Sequence, residues 1–333
     1  MASFTIPSEA PALIVHDAKT KSLSIETLPV PKITGLDDHL IQVHAVAITN
    51  GELLWPEPAA VEKPIPGYEL SGAVVKGPSE SPFPPGTEVY ARTAFERAGS
   101  ARPFSIATTQ ELGRKSAVLT WEEAATVPLS ALTAWQALFV HGGIGVPDQE
   151  ICRKQNATKR VLVTAAAGGV GIWAVQLAAL AGAHVVGTSG PANIDFVRGL
   201  GAKEVIDYKS TNLDSWINER PSERKFDLVL DCVGGETMRQ GWRAVKPDGK
   251  LVSIVDPPEK ERPETGVSDG VSGSFFIVEA DSEQLNKIST LIEQGKRQTA
   301  VDSVYPLEDF ENAFKRAYGG HARGKVVLNI HQN

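Results

Sequence analysis

The stretch Lys159-Arg-Val-Leu-Val-Thr-Ala-Ala-Ala-Gly-Gly-Val-Gly-Ile-Trp-Ala-Val-Gln-Leu-Ala-Ala-Leu-Ala-Gly-Ala-His-Val-Val-Gly-Thr188 decides the fold. Residues 160–164 are a short β-branched apolar run, as a buried parallel strand requires. Residues 165–171 form a tight glycine-rich turn, and 172–180 read as a helix with few polar residues. Gly182 ends that helix, and 184–188 read as the next strand. Strand, turn, helix and strand over roughly 30 residues make one βαβ unit. Ala166, Gly168 and Gly171 occupy the three marked positions of Gly-x-Gly-x-x-Gly, with alanine in place of the first glycine. Gly168 lets a pyrophosphate approach the backbone, and Gly171 lets the helix pack on the strand. The free N–H groups and positive dipole end of the helix then hold the phosphates, with Gly168, Gly169, Val170 and Gly171 as the candidate cofactor residues. A bare glycine pattern carries little weight; placed between strand and helix it marks a dinucleotide site.

The rest of the composition narrows the class. A chain of 333 residues has room for about two domains and substantial cores. A formal net charge of −7 argues against nucleic acid or an acidic membrane surface as partner and leaves a small-molecule substrate. Two cysteines, Cys152 and Cys232, imply no disulfide framework and fit a reducing compartment. Residues 1–9 lack the basic and apolar regions of a signal peptide, and 331–333 form no targeting tail we recognise. No apolar run reaches membrane-spanning length, so the expected location is cytoplasmic.

Upstream of the deciding stretch the pattern changes. Residues 12–16, 23–27, 40–48, 70–75 and 88–92 are strand-like runs punctuated by Pro29-Val-Pro31, Pro64-Ile-Pro-Gly67 and Pro84-Pro-Gly86, which suggests a partly open barrel. Thr120-Trp-Glu-Glu123 is a capping box opening a short helix, and 129–139 reads as a longer one. Residues 142–159 read as an exposed loop. Downstream, strands at 204–207, 226–232, 250–255 and 275–278 alternate with helices at 194–200, 212–218 and 236–245. That alternation predicts a doubly wound parallel sheet with its ligand crevice at the carboxyl ends of the strands. Helices at 281–293 and 306–318 and a strand at 325–330 close the chain. The expected division is 1–129 with 276–333 for the barrel, and 130–275 for the inserted dinucleotide domain.

Motifs in one order along nearly the whole chain carry a family resemblance. They are Asn50-Gly-Glu52, Pro66-Gly-Tyr-Glu-Leu-Ser-Gly72, Pro85-Gly-Thr-Glu-Val-Tyr90, Ala125-Ala-Thr-Val-Pro128 with Leu132-Thr-Ala-Trp135, the turn 165–171, Val205-Ile-Asp-Tyr208, Asp231-Cys-Val-Gly-Gly235 and Gly324-Lys-Val-Val327. The chain resembles the medium-chain dehydrogenases/reductases, and within them the zinc-free quinone oxidoreductase and enoyl reductase branch. The resemblance implies a GroES-like barrel, an inserted Rossmann domain and an active site in a cleft between them. It also implies hydride transfer from a nicotinamide to an activated C=C bond or a quinone. A homodimer through the edge strand near 275–280 and a monomer both stay open.

Zinc members of the family hold their metal with cysteine and histidine. Tyr68 stands where the histidine before the motif's glutamate would be, no cysteine precedes Cys152, and the four-cysteine loop is absent, so no catalytic metal is expected. Cofactor choice is read at the end of the second strand, where an acidic side chain would bind the ribose hydroxyl of NADH. Here the chain runs Val186-Gly-Thr-Ser189-Gly-Pro, with no acid before Asp195, which favours NADPH. Ser189 is the candidate 2′-phosphate ligand, supplemented by Asn193, Arg198 or Lys203, although Arg198 reads equally as a solvated helix charge. Tyr208 matches a family tyrosine near the adenosine. Val233, Gly234, Ser253 and Ile254 follow strand ends and should face the cofactor. Phe276, Ile277 and Val278 match the stretch whose backbone binds the carboxamide.

Asn50 and Tyr68 are the candidate catalytic residues. Asn50 would orient the ribose or substrate carbonyl, and the Tyr68 hydroxyl could donate a hydrogen bond or proton as an enolate forms, with water as the other proton source. Glu52 and Glu69 read as structural, and Cys232 as an inert thiol within an apolar strand. A trans-acting or tailoring enoyl reductase of polyketide or secondary-metabolite biosynthesis, and a non-catalytic NADPH-binding sensor or scaffold, are the alternatives.

Overall fold

The computed structural model describes residues 5–17, 20, 22–55, 61–295 and 297–330. Parts of both terminal readings, at 1–4 and 331–333, lie outside the described residues. The chain divides into two compact units, 1–129 with 280–333, and 130–279. Residues 276–279 belong with the second unit: Gln136 Nε2 donates to the Glu279 carbonyl at 2.9 Å and the Glu279 N–H returns a bond to Gln136 Oε1 at 3.0 Å.

In chain order the first unit begins with strands β1 (Glu9–Asp17), β2 (Ser22–Pro29), β3 (Asp38–Ile48), β4 (Glu69–Lys76), β5 (Glu88–Arg92), β6 (Phe104–Thr108) and β7 (Leu112–Arg114). Helices α1 (Trp121–Ala125) and α2 (Pro128–Trp135) follow. The second unit continues with α3 (Glu150–Asn156), β8 (Arg160–Val163), α4 (Gly169–Leu180), β9 (His184–Ser189), α5 (Ile194–Gly199) and β10 (Glu204–Asp207). Then come α6 (Leu213–Asn218), α7 (Pro221–Arg224), β11 (Phe226–Asp231), α8 (Gly235–Ala244), β12 (Val245–Ser253) and β13 (Ser272–Phe275). The chain ends in the first unit with α9 (Ser282–Glu293), β14 (Val301–Pro306), α10 (Phe310–Tyr318) and β15 (Lys325–Asn329).

In the first unit, β1 and β2 pair alone, and a seven-stranded sheet runs β14-β15-β3-β4-β5-β7 with β6 also on β3. Strand β3 serves β4, β6 and β15 at once because its register slips at Leu40/Ile41 and Val43/Ala45, bending it. Leu13, Ile41, Val46, Leu70, Val89, Leu112, Phe314 and Leu328 lie in its core. The Thr120 capping box forms as read, and β15 returns to β3. Strands β6, β7 and β14 are additional to those expected; β7 is three residues long, and β14 is an edge strand without a buried face.

In the second unit, six parallel strands run β10-β9-β8-β11-β12-β13, the order of a doubly wound dinucleotide-binding sheet. Helix α4 is apolar all round because it is buried all round, as a crossover helix under neighbouring elements must be. Its one polar interior residue, Gln176, turns its amide back to the Ile172 carbonyl at 3.0 Å. Three readings need correction. The helix begins at Gly169 rather than 172, with Gly168 as its N-cap, because a residue at N1–N3 needs no special side chain. The loop expected over 142–159 contains α3, anchored by buried Asn156, which bonds Gly145 on both sides and the Ala181 carbonyl. The sixth strand is 272–275, ending where the expected one began. Its Ser-Gly-Ser start carries no apolar signal, since the space above Gly273 is filled by the Trp242 ring.

Candidate functional site

The second unit places the glycine-rich turn where β8 ends. Ala165 sits at φ 48°, a left-handed position that is strained for a residue with a side chain, and the turn is held by Ala165 N–H on Thr188 Oγ1 at 3.1 Å and Ala166 N–H on the Thr188 carbonyl at 2.9 Å. A methyl on Gly171 would collide with the Ala165 carbonyl and lie 2.8 Å from Ala166 Cα, so this glycine is demanded by helix–turn packing. Gly168 is different: a methyl there meets little but the Ala165 carbonyl at 3.2 Å. A side chain there needs the turn to give by only a few tenths of an ångström, so this glycine matters less to packing than Gly171 does. The first-turn N–H groups of Gly169, Val170 and Gly171 have no intrahelical acceptor by construction and point toward the space above the turn. The missing first glycine has a compensation. The methyl of Ala166 lies over Gly187 of β9, where a second methyl would come within 2.8 Å of it.

At the carboxyl end of β9, Ser189 is buried and its hydroxyl donates to the Gly190 carbonyl at 3.2 Å. Exposed Tyr208 follows β10, with its hydroxyl 3.4 Å from where a Gly190 Cβ would stand, and Lys209 Cε is 3.9 Å from that point. Register separates the basic candidates. Asp207 pairs with Ser189, whereas Lys203 donates its N–H to the Val185 carbonyl, so Lys203 lies at the opposite end of the sheet. Arg198 pairs with Asp195 at 3.4 Å on an exposed helix face. Lys209, which sequence reading missed, is the lysine at the correct end, and its place directly after Tyr208 was the available signal. Asn193 caps the short turn from Gly190, its N–H on the Gly190 carbonyl at 3.0 Å.

The floor between β8, β11 and β12 is one buried carboxyl. Asp231 accepts from Gly234 N–H at 3.0 Å, from Val233 N–H and Ser253 Oγ at 3.3 Å each, and from Thr164 Oγ1 at 3.3 Å. Burial outweighs these bonds and raises its pKa above the usual carboxylate value. The same carboxyl therefore sets the loop that leaves Val233 half exposed, Gly234 at φ 82°, and Ser253, which in turn accepts Val255 N–H at 3.1 Å. Ile254 N–H closes on the Asp231 carbonyl at 3.1 Å. Cys232 is pushed far up by burial and then by Asp231, an unreactive thiol. Phe276, Ile277 and Val278 lie past the end of β13, outside the sheet ladder, with the Phe276 ring stacked on His141 at 4.3 Å.

The first unit holds Asn50 and Tyr68. Asn50 is exposed, and Tyr68 is 9% exposed with its ring 5.6 Å from Trp55. Among the described residues no side chain or backbone group bonds the Tyr68 hydroxyl. Burial, then the charges of Glu52 and Glu96, push its pKa up to about 12, so it is a proton-bearing donor at neutral pH. Beneath it Glu52 is buried, its Oε2 accepting Thr49 N–H at 2.8 Å and its Oε1 accepting Gly67 N–H at 3.0 Å. Glu69 is fully buried, with Oε1 2.5 Å from Lys325 Nζ and Oε2 on Leu129 N–H at 3.1 Å. Lys325 also donates to Thr49 Oγ1 at 2.8 Å, and the Tyr318 hydroxyl accepts Leu53 N–H at 2.9 Å.

Doubly wound sheet, glycine turn and strand-end loops define a dinucleotide-binding oxidoreductase architecture. Comparison with known proteins supplies the family. A family described as zinc-binding dehydrogenase matches residues 200–328. The chain is 45% identical over 337 residues, 99% of its own length and 100% of the other's, to a probable zinc-binding oxidoreductase, mitochondrial, of Arthroderma benhamiae. It is 33% identical over 268 residues, 79% of each chain, to a chloroplast envelope quinone oxidoreductase homolog of Arabidopsis thaliana. The quinone oxidoreductase structure from Coxiella burnetii superposes with a TM-score of 0.82 at 23% identity, covering 97% of this chain and 100% of that one. The chain belongs to the medium-chain dehydrogenase/reductase family, in its quinone oxidoreductase branch.

Two of those names carry the word zinc. Tyr68 precedes Glu69, Glu69 is engaged by Lys325 and Leu129, and no three His, Cys, Asp or Glu side chains converge among the described residues. No helix among the described residues is long and apolar enough to cross a membrane.

Proposed function

We propose that the chain is an NADPH-dependent reductase of activated C=C bonds or quinones that works without a metal. The observation that carries this is Tyr68: a nearly buried phenol at the position of a zinc ligand, with its hydroxyl unbonded among the described residues. An already polarised acceptor carries its own electron sink, so a hydrogen-bond donor can replace a Lewis acid. A bound nicotinamide supplies a hydride. As the acceptor's carbonyl oxygen gains the electron pair, the Tyr68 hydroxyl stabilises it or passes its proton to it, and Asn50 orients the carbonyl.

The phosphate part of the reading rests on the cradle of Gly168, Gly169, Val170 and Gly171. The preference for NADPH rests on the end of β9, where no carboxylate follows Ser189 and Lys209 stands beside Tyr208 over Gly190. A carboxylate would repel the 2′-phosphate, whereas an ammonium attracts it. Residence in the cytoplasm is part of the same proposal, and fractionation that finds the protein in an organelle removes it. The decisive experiment is NADPH consumption against enones, quinones and acyl thioesters, with products identified by mass. Turnover that falls in Tyr68→Phe while NADPH affinity holds supports the mechanism. NADPH binding without consumption by any acceptor replaces it with a sensor or scaffold, and preferred turnover of acyl thioesters with the enoyl reductase of a biosynthetic assembly.

A further inference from the structure

One buried carboxylate grips the backbone immediately before each candidate catalytic residue. Glu52 Oε2 takes Thr49 N–H at 2.8 Å, next to Asn50, and Oε1 takes Gly67 N–H at 3.0 Å, next to Tyr68. The two residues stand near opposite ends of the single connection between β3 and β4, residues 49–68, and neither belongs to a strand, although the Tyr68 carbonyl accepts Thr93 N–H at 2.9 Å. Each end has a left-handed glycine, Gly51 at φ 87° and Gly67 at φ 88°, and is held by hydrogen bonds outside any strand ladder: the 3-10 turn Glu52–Leu54 at the first end, and Ser100 N–H on the Gly67 carbonyl at 2.7 Å at the second. We propose that Glu52 is a positioning residue, whose ionised carboxylate holds Asn50 and Tyr68 in register with each other and whose protonation releases one of the two ends. This rests on the reading of those two residues as substrate-handling groups.

The chemistry of the carboxyl explains why charge state matters. An ionised carboxylate offers lone pairs on both oxygens. A protonated one keeps a good acceptor on its carbonyl oxygen, while its hydroxyl oxygen becomes a donor and a poor acceptor facing an N–H. One of the two N–H groups is then left buried without a partner. Four titratable or charged groups face Glu52: Lys325 from β15 favours the charged form, Glu69 from β4 opposes it, and Tyr68 and Tyr318 lie alongside. Burial dominates and moves Glu52 up to about 7, while both tyrosines are moved to about 12 and stay protonated across the neutral range.

The test is steady-state turnover of the full chain with NADPH and either cinnamaldehyde or menadione, from acid to alkaline pH, for wild type, Glu52→Gln and Glu52→Asp. In the wild type, kcat falls on the acid side with a midpoint near neutrality while protection of the protein from heating by NADPH stays flat. Glu52→Gln, which presents one acceptor and one donor at every pH, loses the acid limb and sits about tenfold to a hundredfold below wild type on the alkaline side. Glu52→Asp keeps a titrating carboxylate too short for both N–H groups, so its limb remains while its plateau drops. A merely structural role would lower the unfolding temperature of the variants and leave the shape of the profile intact. An active wild type whose acid limb persists in Glu52→Gln overturns the inference alone. A wild type that consumes no NADPH with either acceptor at any pH overturns the functional reading and this inference with it.

Discussion

Substituting Gly187 by alanine tests whether the alanine at the first position of the nucleotide turn is matched by the strand behind it. The new methyl would lie 2.8 Å from Ala166 Cβ and 3.0 Å from Val197 Cγ1, both fully buried. Carbon atoms in contact sit about 3.5–4.0 Å apart, so β9 or the turn must yield by about half an ångström or more. Overpacking of that size costs about 1–3 kcal/mol. Ala166→Gly removes the opposing methyl at about 0.8 kcal/mol of lost burial, plus about 0.5–1 kcal/mol of backbone entropy. In the double variant the methyl has moved from one side of the contact to the other. Its destabilisation should therefore fall short of the two single effects together by about 1 kcal/mol or more. Urea unfolding of the four proteins measures this coupling. Strict additivity would refute the idea that Gly187 is small because residue 166 is not. Gly187→Ala should also weaken NADPH binding, because the displaced turn carries Ala166 and its N–H bond to Thr188.

The two motif glycines should separate by readout. Gly171→Ala should destabilise the protein by about 1–3 kcal/mol, because its Cβ meets backbone that cannot rotate away. Gly168→Ala should lose less stability yet bind NADPH more weakly; equal stability losses in both would refute the distinction. NADPH should raise the unfolding temperature more than NADH at equal concentration. Lys209→Ala should shrink that difference and Ser189→Asp reverse it, while Lys203→Ala leaves it unchanged; equal shifts with both cofactors in the wild type would remove the preference. Glu52 is raised from 4.5 to about 7, so the folded state holds its proton more tightly than the unfolded chain does. Its contribution to stability is present below pH 4.5 and is lost as pH rises through 7, and the rise corresponds to about 3 kcal/mol. The stability of wild type relative to Glu52→Gln should therefore be greater at pH 4.5 than at pH 8, and a difference independent of pH would contradict the burial argument.

What the chain determined by itself is the local chemistry. The βαβ unit is legible because a parallel strand buried on both faces must be a continuous apolar run, and because a turn that approaches phosphate and packs a helix on a strand must be small at 166, 168 and 171. The capping box at Thr120 and the glycine stops at Gly182 and Gly201 are legible for the same reason: each feature is satisfied by neighbours a few residues away. The edge strands β7, β13 and β14 are not, because an edge has one ladder and little buried face, and the small residues of β13 answer to Trp242, far away in the chain.

Tertiary structure alone decided which residues act together. Lys203 and Lys209 flank β10, and the register of β10 on β9 sets Lys209 beside the Ser189 end of β9 and Lys203 at the far end. Asp231 becomes the joint of three strand ends only when β8, β11 and β12 stand side by side. Glu52 reaches Thr49 three residues away in the chain, but it reaches Gly67 only when the far end of the β3–β4 connection folds back on its start. A side chain's type is written in the sequence, but its partners, its desolvation and hence its charge state depend on what long-range packing brings around it.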